Sequence, residues 1–299
     1  MIPPPTMTYP EQFPLRITPV GGVDIAYRMA GRGPPLLLLH GFPQTNYMWH
    51  KIAPRLARRF TVVAADLRGY GDSGKPPTDE RHAPYSKRAM AADMTGLMRQ
   101  LGYSRFFVAG HDRGGRVAHR MARDDAEAVR RVAVIDIAPT ASMYRQTDMR
   151  FATAYYHWFF LIQPAPLPER MIGADPAFYL RIKSGAWSRA PGAFTDDAFA
   201  DYLRCFRKPE TIHAMCEDYR AAAAIDLEHD AADADAKLAM PLLALWGASG
   251  FVGGAYDVIK EWQAVAEDVR GHALPGGHYC AEEAPDETLN ALLEFFGGE

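Results

Sequence analysis

Five short stretches of this chain are almost wholly apolar, and segments of helical length separate most of them. They are Pro34–His40, Phe60–Asp66 (FTVVAAD), Phe106–Ala109, Arg131–Ile137 (RVAVIDI) and Pro241–Trp246 (PLLALW). A strand with one face in water alternates apolar and polar residues. These runs do not alternate, so both faces of each strand are covered, and the expected arrangement is a mostly parallel sheet flanked by helices. His40, Asp66, Asp112 and Asp136 end or follow these runs. In an open parallel sheet, ligands bind at the carboxyl ends of the strands, so this polar cluster marks the expected site.

Between Ile137 and Pro241 the rhythm breaks. About a hundred residues pass without a buried strand, rich in alanine, charge and aromatics such as YYHWFF at Tyr155–Phe160. The reading is a helical cap, residues 140–237, inserted into a core formed by residues 1–139 and 238–299. A chain of 299 residues is long enough for one large core carrying such an insertion. The expected last element is a helix from about Asp286 to Phe296.

Composition excludes several classes of function. A net charge of −3 gives no footprint for nucleic acid, and no apolar run approaches the length needed to span a bilayer. The Pro-rich start, MIPPPTMTYPEQF, lacks the basic and apolar regions of a secretory signal. Cys205, Cys216 and Cys280 are odd in number and form no C-x-x-C pair, so the expectation is a reduced cytoplasmic compartment with neither zinc site nor disulfide frame.

The chemistry is carried by Gly110-His111-Asp112-Arg113-Gly114, which joins an apolar strand to a helix. The form is G-x-nucleophile-x-G, in which small residues let a tight turn lift the central side chain above the sheet. An aspartate before a helix is also an ordinary N-cap. As a nucleophile, it would attack saturated carbon and form an alkyl ester. His278, in the loop Gly276-Gly277-His278-Tyr279, is the candidate base for hydrolysing that ester. Asp136 and Asp257 both keep the chain order nucleophile, acid, histidine; the orienting acid is Asp136 in preference to Asp257, because it ends the apolar run RVAVIDI, where an ionised carboxylate is costly unless partnered. The backbone N–H groups of Phe42, in HGFPQ, and of Arg113 are candidates for an oxyanion hole. Gly69–Gly74 matches G-x-G-x-x-G but runs into KPPTDE rather than a helix, so it reads as a turn-rich loop and not a dinucleotide site.

Taken in order, HGFPQ, DLRGYGDSG, GHDRGGR and GGHYCAEEAPD resemble the α/β-hydrolase superfamily over nearly the whole chain. The aspartate nucleophile resembles that of haloalkane dehalogenases, epoxide hydrolases and haloacetate dehalogenases, and the nearest resemblance is to fluoroacetate dehalogenases. That resemblance implies hydrolytic dehalogenation of a small haloacid without metal or organic cofactor, and a homodimer. It implies that Arg113 and Arg116 hold the substrate carboxylate, that His157, Trp158 and Tyr219 receive the halide, and that Trp187 lines the access path. The resemblance places the acid after the strand that follows the nucleophile helix, as Asp136 is, and the place where many relatives carry it reads Ala248-Ser249-Gly250 here. One departure stands out: the loop SGFVGGAYD, Ser249 to Asp257, is shorter or differently composed, which bears on entrance or dimer geometry. The same nucleophile and base also fit an epoxide hydrolase, with paired tyrosines drawn from Tyr155, Tyr156 and Tyr219, and the fold admits a non-catalytic ligand receptor.

Overall fold

The computed structural model describes residues 7–298; the proline cluster of the first six residues lies outside them. Eight strands make one sheet: β1 (Leu15–Val20), β2 (Val23–Ala30), β3 (Pro35–Leu39), β4 (Thr61–Ala65), β5 (Phe106–His111), β6 (Val129–Ile135), β7 (Leu242–Gly247) and β8 (Val269–Leu274). Their order is β1-β2-β4-β3-β5-β6-β7-β8. Only β1–β2 and β2–β4 pair antiparallel; every other neighbour is parallel.

The five apolar runs are β3 to β7, and their central residues are sealed from solvent on both faces. Three strands lie outside those runs; one is β8, mostly unburied at the far edge of the sheet, where it pairs with β7 alone. β1 and β2 form an antiparallel hairpin at the sheet edge, joined by Gly21-Gly22. Most of β1 is exposed, so it carries no continuous apolar run. An edge strand needs less apolar character than a central one.

Register places the chemistry. Leu39 pairs with Gly110, His111 with Ile135, and Ile135 with Leu245. The next residues of those strands, His40, Asp112, Asp136 and Trp246–Gly247, therefore emerge side by side along one edge of the sheet. Between β6 and β7 the described chain holds no strand but eight helices, from Thr140–Arg145 to Ile225–Ala232. The helix Arg113–Asp124 is buried along nearly its whole length, from Arg113 to Ala122, although it carries three arginines and a histidine in that span. It lies against β5, β6 and the neighbouring helix Lys87–Gln100. The last helix spans Pro285–Gly297.

The Gly69–Gly74 loop opens no helix. It folds back on Asp66, whose carboxylate accepts the Asp72 N–H at 2.9 Å and whose carbonyl accepts the Ser73 hydroxyl at 2.7 Å.

Candidate active site

Asp112 is the point to which the other elements refer. Its backbone has φ +46° and ψ −115°, a conformation that costs about 1–3 kcal/mol and persists only where the surroundings impose it. Close packing imposes it here. A Cβ on Gly110 would lie 2.3 Å from the Gly114 carbonyl oxygen, and one on Gly41 would lie 2.5 Å from the Asp112 Cβ. The N-cap alternative fails on geometry, because the Asp112 carboxylate accepts no capping bond from its helix. Instead Oδ1 accepts the backbone N–H of Phe42 at 3.0 Å. That bond anchors one carboxylate oxygen.

His278 and Asp136 meet across 142 residues of sequence, with His278 Nδ1 and Asp136 Oδ2 2.6 Å apart. The other oxygen of Asp136 accepts the Gly247 N–H at 3.0 Å, so the carboxylate is held at both ends. Asp257 takes another role and caps the helix Val258–Gln263. Burial alone would hold His278 below its ordinary pKa, but the bond to Asp136 and the charges of Asp136 and Asp112 raise it above. For Asp112, burial pushes upward and the neighbouring His278, His111, Arg113 and Arg116 outweigh it, so the carboxyl titrates below its usual range. The His278 Nε2 is buried and has no partner among the described residues. Ring contacts run on from His278 to Trp187 at 5.0 Å and from Trp187 to His157 at 4.6 Å.

Neither Arg113 nor Arg116 is surface charge. Arg113 is 0% exposed and Arg116 3%. They are not equivalent. Arg113 donates through Nε and Nη2 to the two carboxylate oxygens of Asp218 at 2.8 and 2.7 Å, and its guanidinium lies 4.2 Å over the Tyr219 ring. Arg116 meets only neutral acceptors, the Ala138 carbonyl at 3.1 Å, the Thr140 hydroxyl at 2.8 Å and the Met143 sulfur, and lies 4.9 Å over the Trp158 ring. Arg116 makes no ion pair among the described residues. Arg113 Nη1, Arg116 Nε and Trp158 Nε1 are buried and find no acceptor there. An unsatisfied buried donor costs about 1–3 kcal/mol, and more when charged.

Aromatic rings pack against one another beside these groups. The Phe42 ring is 5.8 Å from His157 and 5.4 Å from Tyr219, and His157 is 5.5 Å from Tyr219. His157 titrates far below its ordinary value because of burial and the nearby cation Lys183, so it is neutral. A cavity of about 440 Å³ opens beside His278, lined by Tyr155, Trp187, Ser249 and Phe251 and by Arg150, Lys183 and Arg189, with no acidic side chain on its wall. The SGFVGGAYD loop thus contributes Ser249 and Phe251 to the mouth. Sequence reading did not single out Asp218, although it directly precedes Tyr219; its link to Arg113 spans 105 residues and leaves no local signal.

A parallel sheet interrupted by a helical segment, with a strained acid at a strand-to-helix turn and a buried His–Asp pair beside it, defines a hydrolase of the α/β type. The family model for the alpha/beta hydrolase fold matches residues 34–285, and the chain belongs to that family. It is 45% identical over 286 residues to a fluoroacetate dehalogenase from Burkholderia sp., covering 95% of this chain and 94% of that one. It is also 37% identical to a soluble epoxide hydrolase from Corynebacterium sp. (strain C12), covering 93% and 95%. The solved structure of ALR0039 from Nostoc sp PCC 7120 superposes with a TM-score of 0.94 at 55% identity, over 95% of this chain and 98% of that one. Among the described residues, no helix is long and apolar enough to cross a membrane.

Proposed function

We propose that this protein hydrolyses 2-haloacetates, fluoroacetate among them, to glycolate and halide through an ester on Asp112. The observation that carries this reading is the set of buried N–H groups with no acceptor among the described residues, on Arg113, Arg116 and Trp158, together with an Asp112 carboxylate that does not cap its helix. A neutral substrate has no use for the unpaired charge of Arg116; a small carboxylate does.

In this scheme Arg116 Nε and Arg113 Nη1 hold the substrate carboxylate. The free oxygen of Asp112 attacks the carbon bearing halogen, a C–O bond forms as the carbon–halogen bond breaks, and the halide leaves toward His157, Trp158 and Tyr219. Donors aimed at the departing ion in a dry pocket stabilise charge as it develops. His278 Nε2 then takes a proton from water, whose oxygen adds to the Asp112 carbonyl carbon. The Phe42 N–H faces the oxyanion at Oδ1, with the Arg113 N–H as the second proposed donor. Collapse expels glycolate, whose leaving oxygen takes the proton from His278 Nε2, and the Asp112 carboxyl group so formed ionises to solvent, restoring the carboxylate. The helices of residues 140–237 act as a cap over this chemistry, and Trp187 lines the path to it. Three free, buried thiols fit a reduced cytoplasmic setting.

The test is halide release measured side by side from fluoroacetate and chloroacetate. Both are expected to yield halide, and Asp112→Asn is expected to lower the rates at least about 10³-fold. Asparagine is nearly isosteric with aspartate, and the variant's circular dichroism and thermal midpoint are expected to match the parent's. Asp112→Asn protein that releases halide at the parent rate removes the proposal.

A second reading, epoxide hydrolysis, is favoured by the Corynebacterium relative and by Tyr155 and Tyr219, whose rings flank His157 at 5.5 Å each. Diol formed from styrene oxide, with no halide from either haloacetate, selects it.

The working unit in this proposal is a homodimer. Leu167 and Met171 on one helix are 50% and 60% exposed, and Phe178 and Ile182 on the next are 58% and 50% exposed. Each pair shares a helix face, and exposed apolar stripes of this kind mark association surfaces. Sedimentation equilibrium is expected to give a dimer that Phe178→Asp with Ile182→Asp converts to monomer; a monomeric parent protein removes this part.

A further inference from the structure

The two arginines differ because of what stands behind Arg113. Asp218, on the helix Pro209–Ala223, is fully buried, and every donor that meets its carboxylate is buried too. Its Oδ2 accepts Arg113 Nε at 2.8 Å and the Tyr70 hydroxyl at 2.6 Å; its Oδ1 accepts Arg113 Nη2 and the Lys87 ammonium; its backbone carbonyl accepts Arg113 Nη2 again at 2.9 Å. Lys87 is shared with Asp226, whose Oδ2 lies 3.5 Å from it and whose Oδ1 accepts the Lys87 N–H. Arg113, Lys87, Asp218 and Asp226 thus form a tetrad of zero formal charge. A guanidinium with Nε and Nη2 both committed cannot rotate, and its remaining nitrogen, Nη1, has one direction left. That nitrogen is buried without an acceptor among the described residues.

We propose that Asp218 is a positioning residue for anion recognition: it aims Arg113 Nη1 at the substrate carboxylate from the cap side, while Arg116 supplies the net charge. This rests on the haloacetate reading of the site. Arg113 therefore contributes direction rather than charge, since its charge is already matched at hydrogen-bond distance. A carboxylate is gripped by one nitrogen from each arginine and not by a single fork. The same contact ties the helix that carries Tyr219 to the first turn after Asp112, so cap docking and anion binding use one bond pair. Affinity should then depend on where the Asp218 oxygens stand, beyond the charge they carry.

Three variants separate position from charge balance. Asp218→Asn is expected to raise the KM for chloroacetate and the Kd for acetate, measured by calorimetry, 10- to 100-fold, with kcat within threefold of the parent. Adding Lys87→Met to Asp218→Asn returns the tetrad to zero charge, so the thermal midpoint recovers while KM and Kd stay high. Asp218→Glu keeps the charge but moves the carboxylate by one methylene, and is expected to weaken acetate at least fivefold. Parent-like Kd for acetate in the folded double variant, or in Asp218→Glu, overturns the proposal. A parent protein that binds acetate yet releases no halide from chloroacetate overturns the haloacetate reading instead, and the acetate measurements still decide the role of Asp218.

Discussion

Protein carrying His278→Ala, incubated with chloroacetate, is expected to release about one halide per chain and then stop, with a carboxymethyl ester on Asp112. Mass spectrometry of the peptide containing Asp112 reads the ester, and steady-state turnover falls about 10²- to 10⁴-fold, the usual share of a general base. The expectation follows from a division of labour. Asp112 needs only its own oxygen to attack carbon, whereas ester hydrolysis needs a base for water, and His278 Nε2 is the buried ring nitrogen left free once Nδ1 faces Asp136. The parent protein should show the same trapping by pH. Asp136 raises the His278 pKa above its ordinary 6.5, so the ring stays protonated where a free histidine is already neutral. Protonated His278 cannot accept a proton from water. Asp112, titrating below the usual carboxylate range, remains ionised there. At about pH 5 the first step should therefore continue while the second slows, and ester should accumulate. An unmodified Asp112 peptide, in folded His278→Ala protein shown to bind substrate, ends the scheme.

Arg116→Met is expected to lower kcat/KM for haloacetates about 10²- to 10³-fold while leaving the thermal midpoint unchanged or higher. The two effects separate because Arg116 is buried with neutral acceptors only, and burial, followed by the nearby Arg113, lowers its pKa. Arg116 has no ion pair at contact distance among the described residues and feels only the more distant charge of Asp112, so an apolar chain of similar length relieves desolvation, and the freed acceptors are a carbonyl, a hydroxyl and a thioether. Arg113→Met is the contrasting case. It strands Asp218 with Lys87 and Tyr70, and breaking a buried pair from one side costs about 3–5 kcal/mol. Calorimetry and steady-state kinetics on the two variants should move in opposite senses for stability and in the same sense for activity. Arg116→Met protein with the parent KM removes the assignment of substrate charge to this residue.

Much of this architecture was legible in the residues. β3 to β7 announced themselves because strands covered on both faces carry apolar residues at every position, a property of each segment alone. The turn at Asp112 was legible from its pattern, Gly110 and Gly114 flanking an acid between strand and helix, although the backbone that forbids a side chain on Gly114 belongs to Leu39 and His40 of the neighbouring strand. The hairpin β1–β2 was not, because an edge strand is partly solvated and owes its place to one paired neighbour.

The sequence by itself determined the fold class, the strand-to-helix turn and the inventory of acids, arginines and aromatics, since these depend on local burial pattern and local motif. Only the tertiary structure decided that Asp112 caps nothing and bonds Phe42, that His278 finds Asp136 while Asp257 caps a helix, and that Arg113 is paired while Arg116 is not. The reason is physical: a side chain's charge state and direction depend on partners 70 to 142 residues away, brought within 3 Å by sheet register and helix packing, and no pattern along the chain records that distance.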